Sequence, residues 1–154
     1  MRYDEVFNDV RQHADIDVRN LLDILDAITK VYPMIVLGNL SKNSYSMLKD
    51  EGFLFDRVMQ CGNYDDMILD GVKNIHLDYQ ALFLDCFARE ALIRRFEHGE
   101  KEIEARLYQK NMNGQYHWVI VKVIRVVDES GDLVEVCLNK VLSDEMGDRY
   151  GHLI

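Results

Sequence analysis

Proline is nearly absent. Pro33 is the only one in 154 residues, and with no Gly/Ser-rich stretch the chain carries no linker and no internal repeat. Cysteine is scarce too: Cys61, Cys86 and Cys137 are odd in number and widely spaced, which excludes a disulfide framework and a CxxC metal knuckle. They are expected as buried, reduced thiols, and a redox role would need one of them exposed with a lowered pKa. Basic residues are outnumbered, 18 Lys and Arg against 27 Asp and Glu, for a formal net charge of -9. Nucleic acid and anionic membranes both need a basic patch, so neither is expected as a partner. No apolar run approaches the ~20 residues that span a bilayer, and Met1-Arg2-Tyr3-Asp4-Glu5 is too polar for a secretory signal. The cytoplasm is the expected location. Also missing are a GxSxG elbow, a GxxxxGK phosphate loop, a GxGxxG after a strand and an HExxH pair. No catalytic residues are therefore assigned, and a small α+β enzyme using Tyr108 or Tyr116 beside Glu104 is the least favoured alternative.

What is present is a globular composition, 48% hydrophobic and 29% charged, enough to bury one core. Val18, Leu21, Leu22, Leu25 and Ile28 recur at helical spacing behind Asp17, predicting an amphipathic helix over 17–31 that stops before Pro33. A shorter turn over 4–13, with Val6 and Val10 as its apolar positions, precedes it. Met34 to Leu37 reads as a buried strand, Asn39 to Asn43 as a turn and Ser44 to Leu48 as the hairpin partner. Helices follow: Asn63 caps a segment with Met67, Ile68 and Val72, and one longer stretch runs from Asp78 through Phe83, Phe87 and Leu92 to Phe96, closed by Gly99. Three strands end the chain, 102–110, 115–127 and 133–142, joined at Asn113-Gly114 and at 128–132.

The segment Tyr116 to Val127 is the most informative. Alternation puts Trp118, Ile120, Ile124 and Val126 on one face and Val119, Val121, Val123 and Val127 on the other. A strand wet on one side should alternate with polar residues, so both faces of this one are expected to be covered. Burying a large apolar side chain contributes roughly 1.5–3 kcal/mol, against a typical total stability of ~5–15 kcal/mol. The middle helices can cover one face. A homodimer seam formed by Leu21, Leu22, Leu25 and Ile28 with Trp118, Ile120 and Ile124 is the expected cover of the other, and packing of the same helix within one chain is the alternative.

Asn74-Ile75-His76-Leu77-Asp78-Tyr79 opening the later helix, and Asn113-Gly114-Gln115-Tyr116-His117-Trp118-Val119 opening the long strand, resemble the PAS subclass with an H-P-x-D/Y helix start and a D-G-x-Y-R-W strand start. Val127 to Gly131 is similar to that family's turn before the final strand. Leu77 stands in place of the proline, Asn113 and His117 in place of the Asp and Arg, and Leu142-Ser143-Asp144-Glu145 is only distantly similar to the family's Asp-Ile-Thr-like exit.

The resemblance implies an α+β fold: a five-stranded antiparallel sheet with helices on one face and an N-terminal flanking helix on or near the other. The organisation it implies is flanking helices over 1–32, a PAS domain over 33–145, and a tail or output linker over 146–154. It further implies a sensory module, often dimeric, of a bacterial diguanylate cyclase or histidine kinase. The chain has neither a Gly-Gly-Asp/Glu-Glu-Phe sequence nor a phosphoacceptor helix, so a fragment of a larger regulator, working with an output domain or a partner signalling protein, is expected. A stand-alone interaction module with a filled core is the alternative.

No cofactor is expected. Cys61-Gly62-Asn63 has the wrong order for the flavin motif Gly-x-Asn-Cys-Arg-Phe, and His76, His98 and His117 suit caps and surfaces better than a haem iron; no metal site is expected either. An unidentified small ligand in an apolar pocket between sheet and helices remains. Its expected lining is Ile35, Leu37, Leu54, Phe55, Ile68, Val72, Phe83, Phe87, Val119, Val121, Val136 and Leu138, residues that native packing could equally use to fill a core.

Overall fold

The doubly apolar segment is one uninterrupted strand of twelve residues, Tyr116–Val127, paired on both sides within a larger sheet. The computed structural model describes residues 27, 30–50 and 61–142. In chain order the elements are β1 (Met34–Asn39), β2 (Ser44–Asp50), β3 (Cys61–Asn63), α1 (Tyr64–Val72), a 3₁₀ turn (Leu77–Tyr79), α2 (Gln80–Phe87), α3 (Arg89–Glu97), β4 (Glu102–Lys110), β5 (Tyr116–Val127) and β6 (Leu133–Val141). The chain divides into two units, Met1–Val31 and Tyr32–Ile154, and the sheet with its helices belongs to the second. Of the helix expected over 17–31, only Ala27, Lys30 and Val31 are described, and these are helical. Leu21, Leu22, Leu25, Ile28, Leu54, Phe55 and the tail 146–154 lie outside the described residues. Among the described residues no helix is long and apolar enough to cross a membrane.

The strands form a single antiparallel sheet in the order β3-β2-β1-β6-β5-β4. The first long strand and the last are thus neighbours at its centre. Among the described residues six strands stand where five were expected. The addition is β3, three residues at the β2 edge whose Gly62 pairs with Tyr45. That pairing uses up the run Cys61-Gly62-Asn63, after which Asn63 caps α1 by accepting the Asp66 N–H at 3.0 Å. The cap satisfies one of the donors that a helix start leaves without an intrahelical partner.

One long helix over 78–96 was expected, and two are found. Ala88 has an extended backbone, φ -58 and ψ 144, and divides α2 from α3. No Gly or Pro marks the break in the sequence. It leaves the Phe87 carbonyl free of an intrahelical bond, and the buried Tyr64 hydroxyl donates to it at 3.1 Å.

Turn chemistry fixes the hairpins. Asn43 adopts a positive φ of 52 between β1 and β2, a conformation that asparagine tolerates better than most residues. Between β4 and β5 it is Asn111 that organises the turn, its Oδ1 accepting the Asn113 and Gln115 N–H groups at 2.9 and 3.0 Å, while Gly114 supplies the left-handed residue at φ 79.

The inner sheet face carries the core. Val36, Leu107, Val119, Val121 and Val123 cluster there with Tyr64 and Ile68 of α1, Phe83 and Phe87 of α2, and Leu92 and Phe96 of α3. The outer face carries Trp118, Ile120 and Ile124, all partly buried, with Val126 more exposed. Val127, expected inside with Val119, Val121 and Val123, is 86% exposed, because the strand has by then run past the helical layer.

Candidate functional site

A cavity of about 370 Å³ lies between the inner sheet face and the helices α1 and α2. Its volume falls toward the small end of the ~300–1,000 Å³ usual for ligand pockets. Its walls combine Met34 and Val36 of β1, Val121 and Val123 of β5, Met67 and Ile68 of α1, and Phe83 and Phe87 of α2. Into this apolar shell β6 sends three residues that are not hydrocarbon: Glu135, Cys137 and Asn139.

Register explains why. The hairpin closes with Val127 opposite Leu133, which sets Val123 against Cys137 and Val121 against Asn139. Opposite residues share a face, so once Val121 and Val123 point inward the polar set of β6 must follow. On the other side Gly38 pairs with Glu135, Val36 with Cys137 and Met34 with Asn139.

Among the described residues Glu135 is the one whose side-chain oxygens are buried without a hydrogen-bond partner. The residue as a whole is fully buried. Burial alone raises its carboxyl from 4.5 to about 8. The room for it is made by Gly38: a Cβ at that position would overlap Glu135 Oε1 and stand 3.0 Å from Cε2 of Tyr64. Burial, and then the charge of Glu135, raises the Tyr64 phenol well above its usual value. Cys137 is likewise pushed up, first by burial and then by Glu135, while Asn139 Nδ2 donates to its sulfur at 3.4 Å. Arg125 pairs with Glu135 in the ladder, yet its guanidinium donates to the Phe96 carbonyl at 3.4 Å.

Gln109, on the inner face of β4, is buried and also borders the cavity, as does Asn74 in the loop after α1. An isolated pairing of Ile75 with Gln109 fastens that loop to the β4 edge. At the α1 side stand the exposed Asp66 and Asp70 with Tyr45 of β2. The Tyr45 phenol is raised, chiefly by burial and further by Cys61, Asp70 and Asp66.

Of the residues expected to line a pocket, Ile68, Phe83, Phe87 and Val121 border this cavity. Val119 is buried in the adjoining core and Val72 packs against its rim. Ile35, Leu37, Val136 and Leu138 do not border it. They form two cross-strand pairs, Ile35 with Leu138 and Leu37 with Val136, on the opposite face of the sheet. That expectation is corrected: choosing the apolar alternation of β6 for the inside fails here because the outer face is apolar as well, so polarity does not distinguish the two sides. The missed residues are Glu135, Asn139, Gln109, Asn74 and Tyr64. For the first two a signal existed in the hairpin register counted back from the 128–132 turn.

The described histidines, His76, His98 and His117, do not border the cavity. His76 Nδ1 accepts the Asp78 N–H at 3.2 Å at the start of the 3₁₀ turn, and its ring packs edge-on against Tyr116 at 5.2 Å. His98 Nδ1 bonds the Arg94 carbonyl at 2.6 Å, and His117 lies in β5. Among the described residues no three His, Cys, Asp or Glu side chains converge as a metal site. Tyr108 and Tyr116 stack on each other at 5.2 Å, and Glu104 faces Lys122 across the ladder, so these three form no pocketed acid–base pair. Cys61 is exposed, against the expectation of burial, while Cys86 is buried and Cys137 partly so.

No protein-family profile matches the chain, and no curated protein matches it in sequence. Among solved structures it is similar to a sensory box histidine kinase/response regulator from Burkholderia thailandensis, at 12% identity and TM-score 0.49, covering 83% of this chain and 90% of that one. It is also similar to the N-terminal domain of a diguanylate cyclase with PAS/PAC sensor from Marinobacter aquaeolei, at 15% identity and TM-score 0.47, covering 73% of this chain and 97% of that one.

Proposed function

We propose that the chain is a sensory domain of the PAS type that takes up a small molecule between its sheet and helices and passes the occupancy on through the sheet to an output domain or partner signalling protein. The observation that carries this is the cavity between sheet and helices with the buried Glu135 at its wall. An ionisable group held out of water without a partner is unfavourable by several kcal/mol, and such groups concentrate where a ligand supplies the missing interaction. The two PAS-like motif neighbourhoods and the antiparallel sheet agree with the family assignment. An interaction module with a filled core, the alternative, has no use for a cavity of about 370 Å³.

The test is a thermal-shift and ligand-observed NMR survey of small amines, alcohols, amides and carboxylates, repeated on a cavity-filling Val121→Phe variant. At least one class should bind, and ligand at a hundred times Kd should add about 2.7 kcal/mol, a shift of several degrees in Tm. Binding should vanish in the filled variant. No binding by any class, or binding indifferent to Val121→Phe in a folded variant, overturns the proposal.

Transmission is proposed to use the outer face, with a second copy of the chain seated on Trp118, Ile120 and Ile124. A ligand moves such an equilibrium only by the difference in its affinity for the two states. Glu135 and Val136 are adjacent on β6 and point to opposite faces, which gives the cavity a direct mechanical route to that surface.

A further inference from the structure

We infer that the molecule held in the cavity is a compact organic cation whose protonated nitrogen docks on the Glu135 carboxylate. This rests on the ligand-binding reading above and names the chemistry of its ligand. Three features of the lining converge on it. First, among the described residues that border the cavity three are carboxylic acids, Asp66, Asp70 and Glu135, and none is Lys, Arg or His. An anionic ligand would find no charged partner among them and would pass Asp66 and Asp70 at the exposed side. Second, the unpartnered oxygens belong to the group buried deepest, Glu135, so a donor on the ligand would find two acceptors already desolvated and fixed in place. Third, the remaining walls include the rings of Tyr45, Tyr64, Phe83 and Phe87, whose faces attract a cation as well as hydrocarbon.

The acidic pair near Tyr45 gives the cation a way in. Asp66 and Asp70 are exposed on α1 and border the same cavity. Asp70 also lies 3.5 Å from the exposed Lys73, a surface pair that solvent screens. Negative side chains around an opening raise the local concentration of a positively charged ligand.

Proton balance follows from what surrounds Glu135. Tyr64 faces it from α1 and Cys137 neighbours it on β6, both with their protons held on by burial. Arg125 lies opposite on β5 but is committed to the Phe96 carbonyl, and β1 presents only Gly38 there. With no cation among the described residues turned toward it, the Glu135 carboxyl keeps its proton at neutral pH. An ammonium ion entering replaces that proton as the positive partner, and the proton leaves to solvent. Binding of a cation at neutral pH therefore releases up to one proton per site, whereas a neutral ligand accepting from the protonated carboxyl releases none.

The experiment uses a charge series of one shape on the full chain: benzylamine, benzyl alcohol and benzoate, measured by calorimetry at pH 7 in two buffers of different ionisation enthalpy, with Glu135→Gln as the variant. Benzylamine should bind at least about tenfold more tightly than the alcohol, a margin of one charge-assisted hydrogen bond in a dry site, with buffer-dependent heat marking proton release. In Glu135→Gln the margin should fall to within about threefold and the proton release should vanish. Equal or tighter binding of the alcohol or the benzoate, or cation binding with no proton released, overturns the inference and leaves the ligand-binding reading standing. Failure of this series while another class in the mixed survey binds has the same meaning. Failure of every class overturns both. The series on the unaltered chain decides the matter even where the variant does not fold.

Discussion

Gly38 and Glu135 face each other across the β1–β6 ladder, and the glycine is there because the carboxylate is. A Cβ at position 38 would occupy the space of Glu135 Oε1 and press on the Tyr64 ring. The close approach, rather than backbone freedom, is what demands glycine. Gly38→Ala should destabilise the fold by about 1–3 kcal/mol, the range for adding volume against side chains already in contact. Shortening the opposing side chain should relieve it, so Gly38→Ala with Glu135→Ala should show a favourable coupling of at least ~1 kcal/mol in urea denaturation. Additive effects of the two substitutions would mean that the contact does not exist in solution.

Glu135 should also shape the pH dependence of stability. Its carboxyl is raised from 4.5 to about 8, so below pH 4.5 it is protonated whether the chain is folded or not and has no effect. Between these values the unfolded chain has lost the proton while the folded chain keeps it, and stability falls by about 1.4 kcal/mol per pH unit. Above pH 8 the penalty is complete at roughly 3–5 kcal/mol. Denaturation series at pH 5, 6.5 and 8 should show this decline in the unaltered chain and a much flatter profile in Glu135→Gln, which should be the more stable protein at pH 8. A variant less stable than the original at pH 8 would show that Glu135 has a stabilising partner.

Those two residues also mark where the sequence was legible and where it was not. The strand Tyr116–Val127, the Asn63 cap and the turns could be read because each rests on a local rule, such as alternation, a side-chain acceptor or a glycine after asparagine. The cavity wall could not be read that way. On β6 the apolar set Val136 and Leu138 and the set Glu135, Cys137 and Asn139 compete for the inside, and a polarity rule awards it to the wrong one. What decides is register, which the turn at 128–132 carries over six residues to Asn139. The break at Ala88 was invisible for a similar reason: its partner is the Tyr64 hydroxyl, 23 positions away from Phe87.

The thiols differ in environment, and their chemistry should follow. Cys61 is exposed on the sheet edge. Cys86 is buried and its thiol raised mainly by that burial, and Cys137 is raised by burial and by Glu135. Since the thiolate is the reactive form, iodoacetamide at pH 8 should modify Cys61 alone in the folded chain, with Cys86 and Cys137 following only on unfolding. Peptide mass spectrometry reads the outcome directly. Early modification of Cys137 would place it at the surface and remove it from the cavity wall.

Assembly through the outer face can be tested without confusing it with folding. Ile120 sits in the middle of β5, directly opposite Arg106 on β4 and Lys140 on β6. An aspartate at that position would find a cation on each side within the same sheet, and opposite charges across a ladder contribute favourably. In the monomer, Ile120→Asp is therefore expected to cost less than about 2 kcal/mol, the loss of one partly buried apolar side chain. In a dimer seated on Trp118, Ile120 and Ile124 the same carboxylate would be taken out of water twice, once per copy, and the seam should open. Analytical ultracentrifugation should then show a dimer at high micromolar concentration for the unaltered chain and a folded monomer for the variant. A chain that is monomeric from the start, or a variant that keeps the dimer mass, would assign the outer face some other role.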